Sequence, residues 1–201
     1  MLFGLKAFFG LSSSFFILVG VLPYLRDIHN RRARPHVLSW VGWAFITALG
    51  ASAMYETGST WATAILFANA LASILVAGYA LMRKVGVWST GPQDAVFFAL
   101  GMVGLVLWQV LNAPVLAIIF AISADFFFGL PTIIKTFKDP SSETPFVWVM
   151  AAVSGVLSMF ALRNFGFSEA AYPVYLLAFD ASVLALVLGF GVWVRKNTRS
   201  G

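Results

Sequence analysis

Long apolar blocks alternate with short polar ones along this chain. The apolar blocks cover residues 7–25, 37–55, 60–82, 93–111, 114–135, 146–163 and 171–194. Between them lie "RDIHNRRARPH", "ETGS", "RKVGVWSTGP", "NAP", "KTFKDPSSETP" and "RNFGFSEA", which are rich in Gly, Pro, Ser and charge. A helix needs about 20 mostly apolar residues to cross a bilayer. The pattern therefore predicts an all-α transmembrane fold of seven helices with short connections. "VGVW" in the third connection is expected at the membrane interface. The first block has only Lys6 ahead of its apolar core and no small-residue cleavage site, so it reads as a retained helix rather than a signal peptide.

Composition agrees with lipid as the main solvent. Of 201 residues, 60% are hydrophobic and 10% are charged, with a mean hydropathy of +0.89. Soluble domains carry about 25% charged residues, and a soluble chain of this size has no way to hide so much apolar surface. Cysteine does not occur, so a disulfide framework and a thiolate metal site are both excluded.

Charge then sets the expected orientation, because positive residues collect on the cytoplasmic side. With the N-terminus outside, Arg26, Arg31, Arg32, Arg34, Arg83, Lys84, Lys135, Lys138, Arg195, Lys196 and Arg199 fall inside. Only Lys6 and Arg163 fall outside, and the two groups account for all 13 Lys and Arg. The net charge of +5 is thus a topology signal. Spread over four membrane-proximal segments, it argues against nucleic acid and for anionic lipid headgroups as partners.

The chain also repeats itself. Shifted by 108 residues, "LPYLRDIHNRRARPHVLSW" (Leu22–Trp40) falls on "LPTIIKTFKDPSSETPFVW" (Leu130–Trp148) without a gap. Pro23 lands on Pro131 and Trp40 on Trp148. Three further residues before the last helix bring Asn69 onto Asp180, Gly78 onto Gly189 and Lys84 onto Arg195. The expected plan is a first three-helix bundle over residues 1–84, a linker helix over 85–112 and a second bundle over 113–201. An odd number of helices per unit and one helix between units make the repeats parallel, a known transporter plan with its substrate path at the repeat interface.

This 3+1+3 arrangement with its N-terminus outside resembles the SWEET sugar transporters and the wider PQ-loop superfamily. "RRARPHVLSWVGW" and "DPSSETPFVWV" are similar to a group of bacterial membrane proteins within it, a group that gives no substrate. The resemblance implies an integral protein of the bacterial inner membrane that moves a sugar-like solute by alternating access. It implies that Asn69 and Asp180 line a central pocket, and that Pro23, Pro35, Pro131 and Pro145 act as gating prolines. The Pro-Gln dipeptide is replaced by Pro23-Tyr24 and Pro131-Thr132. Pro35 and Pro145 do not align with each other.

Few residues can carry chemistry. Asp125 and Asp180 are the acids deep in apolar blocks, with no Lys or Arg at similar depth. A charge at the bilayer centre costs about 2.5–3.5 kcal/mol or more, so each must face protein or water, be paired, or be neutral. Each reads either as a proton-coupling or substrate-binding carboxylate, or as a protonated acid bonding a neighbouring helix. Asp125, Gly129 and Thr132 form a small and polar stripe at i, i+4, i+7, and Asn69 and Ser73 share a face at i, i+4. Pocket lining and close helix packing both account for these small residues. Trp43 and Trp148 are candidates to reach a pocket, while Trp40, Trp61, Trp88, Trp108 and Trp193 read as an interfacial belt. Tyr172, Pro173 and Tyr175 read as belt anchors or an outer gate. His29 and His36 are expected as solvated loop residues. Pro23 and Pro131 are expected to kink helices near their cytoplasmic ends, as hinges or as static bends.

No nucleophile–base pair, phosphate loop or zinc motif occurs, so an enzyme is not expected, nor is a metal or other cofactor. A retinal photoreceptor is excluded because the last helix has no lysine before Lys196. The expected partners are a small solute and membrane lipids, with room for a homo-oligomer. Three functions compete: a sugar-like or proton-coupled solute transporter, a vitamin or nucleoside carrier of similar plan, and a membrane receptor or scaffold with no through-path.

Overall fold

The computed structural model describes residues 2–56, 61–88, 92–110 and 114–197. The connections at 57–60 and 111–113, residues 89–91 and the tail with Arg199 lie outside these residues. So do the side chains of Glu56, Trp108, Trp193, Arg195 and Lys196.

Each apolar block becomes a helix: α1 (Leu2–His29), α2 (Val37–Glu56), α3 (Trp61–Arg83), α4 (Pro92–Val110), α5 (Pro114–Lys138), α6 (Pro145–Ala161) and α7 (Phe167–Asn197). A 3-10 turn over Pro140–Ser142 precedes α6. Four helices are long and apolar enough to cross a membrane, through Gly4–His29, Thr63–Arg83, Ile118–Lys138 and Glu169–Gly189. The apolar stretches described in α2, α4 and α6 are shorter.

The exterior is that of a helical membrane protein. On α1, Phe8, Leu11, Phe15 and Leu22 are exposed at helical spacing, while Ile17, Val21, Tyr24 and Ile28 are buried on the other side. A helix apolar all round fits either a deep core or a bilayer. An apolar face that no protein covers fits the bilayer. Between helices, small residues permit close approach. A Cβ on Gly20 would lie 2.8 Å from Cβ of Met150, and one on Gly42 would collide with the Phe128 ring. Ser13 and Ser154 lock α1 to α6: each hydroxyl donates to the other's carbonyl, at 2.9 and 2.8 Å.

The helices associate in a definite pattern. α3 packs against both α1 and α2, and α7 packs against both α5 and α6. α4 lies along α5. The two groups meet where α1 runs along α6 and where α2 touches α5. One apolar core runs through both, from Ile17 and Val21 to Trp43, Trp148, Phe179 and Val183.

Helix ends differ from the apolar blocks for local reasons. α1 continues six residues past Pro23, and α5 seven past Pro131. α1 stops at a left-handed Arg31 (φ 56°), where Arg32 N–H donates to Asp27 O and Arg31 N–H to Ile28 O. α3 stops the same way at Lys84 (φ 52°). This two-bond closure usually uses glycine. Here the basic side chains sit at the negative ends of the helix dipoles, which offsets part of the cost. Gly86, at φ 150°, lets the α3–α4 connection pass so close that a Cβ would meet Val37 at 2.7 Å. Val87 N–H then donates to Pro35 O at 2.8 Å.

Candidate functional site

A cavity of about 50 Å³ lies between the two helix groups. It has room for a few waters, well below the ~300 Å³ at which small-molecule pockets begin. All six pocket candidates from the sequence line it: Trp43, Asn69, Ser73, Asp125, Trp148 and Asp180. Gly129 and Thr132, which continue the Asp125 stripe, pack instead. Gly129 fits against Phe179 and Trp43, and Thr132 is fully buried with no hydrogen bond to its hydroxyl.

Aromatic rings form much of the wall. Trp40 stands edge-to-face on Trp43 with centroids 5.3 Å apart, and Trp43 meets Trp148 at 6.4 Å and Phe179 at 5.5 Å. Edge-to-face contacts let several rings share a small space. Trp40 and Phe179 were not among the sequence candidates. Trp40 was assigned to the interfacial belt, yet it is 6% exposed and lines the cavity.

The two acids have different surroundings. Asp125 is buried, and its oxygens are divided between two tyrosines of α7. Tyr172 Oη donates to Oδ2 at 2.5 Å and Tyr175 Oη to Oδ1 at 2.9 Å. Trp43 Nε1 donates to the Asp125 carbonyl at 3.3 Å. Tyr172 and Tyr175 therefore hold an acid, whereas the sequence suggested belt anchors or an outer gate. Their i, i+3 spacing puts both hydroxyls on one face, but nothing local points to a residue 47 positions away. Asp180 lines the cavity, and among the described residues nothing donates a hydrogen bond to its carboxylate. Asn69 Nδ2 bonds back to Ile65 O at 3.0 Å, which leaves Oδ1 unpaired.

At the basic end of the helices, a polar clasp lies beside the cavity wall. Glu143, from the α5–α6 connection, is 4% exposed. It pairs with Lys135 of α5. It also accepts from Tyr24 Oη at 2.8 Å and from Trp148 Nε1 at 3.1 Å. Lys135 Nζ donates in addition to Arg34 O at 2.7 Å. Outside this core, Arg34 pairs with Asp139, and Thr144 donates to Asp27 at 2.8 Å. The α1–α2 and α5–α6 connections are thereby tied together. In the sequence Glu143 lies in the polar connection "KTFKDPSSETP", and no periodicity reveals a loop acid that folds inward.

The hinge candidates lie off the cavity. Pro23 and Pro131 sit inside α1 and α5, Pro145 opens α6, and Pro35 lies in the α1–α2 connection. The expectation of solvated histidines fails for His36. It is 1% exposed, with Nδ1 3.2 Å from Ser39 Oγ and Nε2 3.8 Å from Asp94. Burial lowers its pKa to about 4 against a partial opposing pull from Asp94. The connection is held down on both sides, by the Val87 bridge and by the clasp, so its last residue is covered. His29 is exposed, with Nδ1 2.8 Å from Tyr79 Oη.

No family model, curated protein or solved structure matches this chain.

Proposed function

We propose that this chain is a small-solute transporter of the SWEET and PQ-loop plan, working by alternating access between two three-helix bundles. The observation that carries this reading is the make-up of the cavity wall. Residues at matching places in the sequence repeat line the same space. Ile17 and Asp125, Trp40 and Trp148, and Trp43 and Ala151 are each 108 apart, and Asn69 and Asp180 are 111 apart. Helix pairing supports the same symmetry. Exchanging α1 with α5, α2 with α6 and α3 with α7 turns the α1–α6 contact into the α5–α2 contact. Within each group the third helix sits between the other two.

The membrane reading follows from length. α2, α4 and α6 have 20, 19 and 17 residues, at the short end of what spans a bilayer. With seven spans, the bias of Lys and Arg puts the N-terminus outside and the clasp on the cytoplasmic side. The bacterial inner membrane and the sugar-like solute rest on the resemblance. The clasp then acts as an inner gate. It ties the two bundles together while the cavity is too small for a hexose, so passage requires the clasp to break. Pro23 and Pro131, each about two turns from the helix end, are the proposed hinges.

Uptake into proteoliposomes tests this. Preloading with unlabelled solute should accelerate entry of the labelled one, as expected of a carrier. A receptor or scaffold of the same fold would bind solute and give no saturable flux.

A further inference from the structure

The polar groups of the cavity are unbalanced, and the imbalance selects a ligand. Most side-chain donors on its wall are already engaged inside the protein. Asn69 Nδ2 goes to Ile65 O, Trp43 Nε1 to Asp125 O, Trp148 Nε1 to Glu143, and Thr47 Oγ1 to Trp43 O at 2.5 Å. Trp40 Nε1 is buried with no hydrogen-bond partner among the described residues. What remains unpaired is the Asp180 carboxylate, the Asn69 Oδ1 with the second Asn69 N–H, and the Ser73 hydroxyl. Acceptors still outnumber donors among them, and the carboxylate has no basic residue on the same wall.

A sugar hydroxyl both donates and accepts, and a polyol in this cavity would find few donors. An ammonium group carries three donors and no acceptor. It would satisfy Asp180 and Asn69 together and supply the missing counter-charge. The four aromatic rings on the wall suit the same ligand, since aromatic faces attract a desolvated cation and cover its apolar body. Each Asp125 oxygen already accepts from a tyrosine, whereas Asp180 has no donor among the described residues, which makes Asp180 the contact.

We infer that the central cavity takes a small primary amine in its protonated form, held by Asp180 and Asn69 within the Trp40, Trp43, Trp148 and Phe179 wall. This inference takes the cavity to be the substrate site of the transporter proposed above.

Calorimetric titration of the protein in nanodiscs tests it with four probes: propylammonium, tetramethylammonium, 1-butanol and glucose. Propylammonium is expected to bind more tightly than 1-butanol, which lacks the charge, and more tightly than tetramethylammonium, which lacks the N–H donors. Each gap should be about tenfold or more. Asp180→Asn is expected to remove a similar factor for propylammonium. The tetramethylammonium comparison needs no variant and so stands even if that substitution disturbs folding. Equal binding of the two cations, absence of propylammonium binding, or binding of glucose in preference to it would each overturn the inference. Flux separates the two levels. Saturable entry of glucose without amine binding rejects the amine site and keeps the transporter. Amine binding without saturable flux of any probe keeps the site and rejects the transporter.

Discussion

Asp125 and Glu143 are both buried acids, and they are satisfied in different ways. Asp125 is held by two neutral hydroxyls. Glu143 is held by a cation, a hydroxyl and an indole. Breaking a buried ion pair by removing one charge costs about 3–5 kcal/mol, because the other charge is left uncompensated. Glu143→Gln should therefore lower thermal stability in detergent sharply. Adding Lys135→Met should restore much of the loss, and a double mutant no better than the single one would show that the pair is not coupled. Tyr172→Phe deprives one Asp125 oxygen of its donor and should cost about 1–3 kcal/mol in the same assay. Asp125→Asn should leave expression intact and flatten the pH response of uptake if the group exchanges a proton. An unchanged pH response would reduce Asp125 to a structural acceptor. His36 adds a separate pH effect. Its folded pKa of about 4 lies below the unfolded value of 6.5, so the unfolded chain takes up the proton first as pH falls. Stability should be full above about pH 6.5 and lost progressively down to about pH 4, by about 3 kcal/mol. Melting curves of wild type and His36→Asn should converge in slope over that window if another group is responsible.

At the level of elements, much is legible in the sequence. Each apolar block is a helix, and the depth of Asp125 and Asp180 marked them as cavity candidates. The rest depends on tertiary contact. The partners of Asp125 lie 47 and 50 residues away, and Glu143 becomes buried only because two connections fold over each other. A belt tryptophan and a cavity tryptophan look alike in sequence, so Trp40 reads as belt although it lines the cavity. His36 lies in a basic connection that reads as solvated, yet the Val87 bridge covers it. The prolines make a test of their own. Both α1 and α5 remain helical beyond Pro23 and Pro131, so the missing N–H is a local weakness rather than a stop. Pro131→Ala should hold or raise the melting temperature and slow the maximal rate of uptake. An unchanged rate would reject Pro131 as a hinge.

At the scale of the whole molecule, the central claim is that one cavity between two helix bundles opens to either side in turn. The chain contains no cysteine, so an introduced thiol reports without background. Ser73 lines the cavity on α3 and has no hydrogen-bond partner among the described residues, which makes Ser73→Cys a mild change. Cysteines at Asn164 and Ser141, both on exposed connections, fix the sides. Asn164→Cys should label from outside, and Ser141→Cys only after permeabilisation. An impermeant thiol reagent applied to Ser73→Cys in oriented membranes then tests the claim most directly. The account predicts labelling from both sides, with a bound solute changing the two rates in opposite directions. Labelling from one side alone, at a rate that no solute alters, would contradict it.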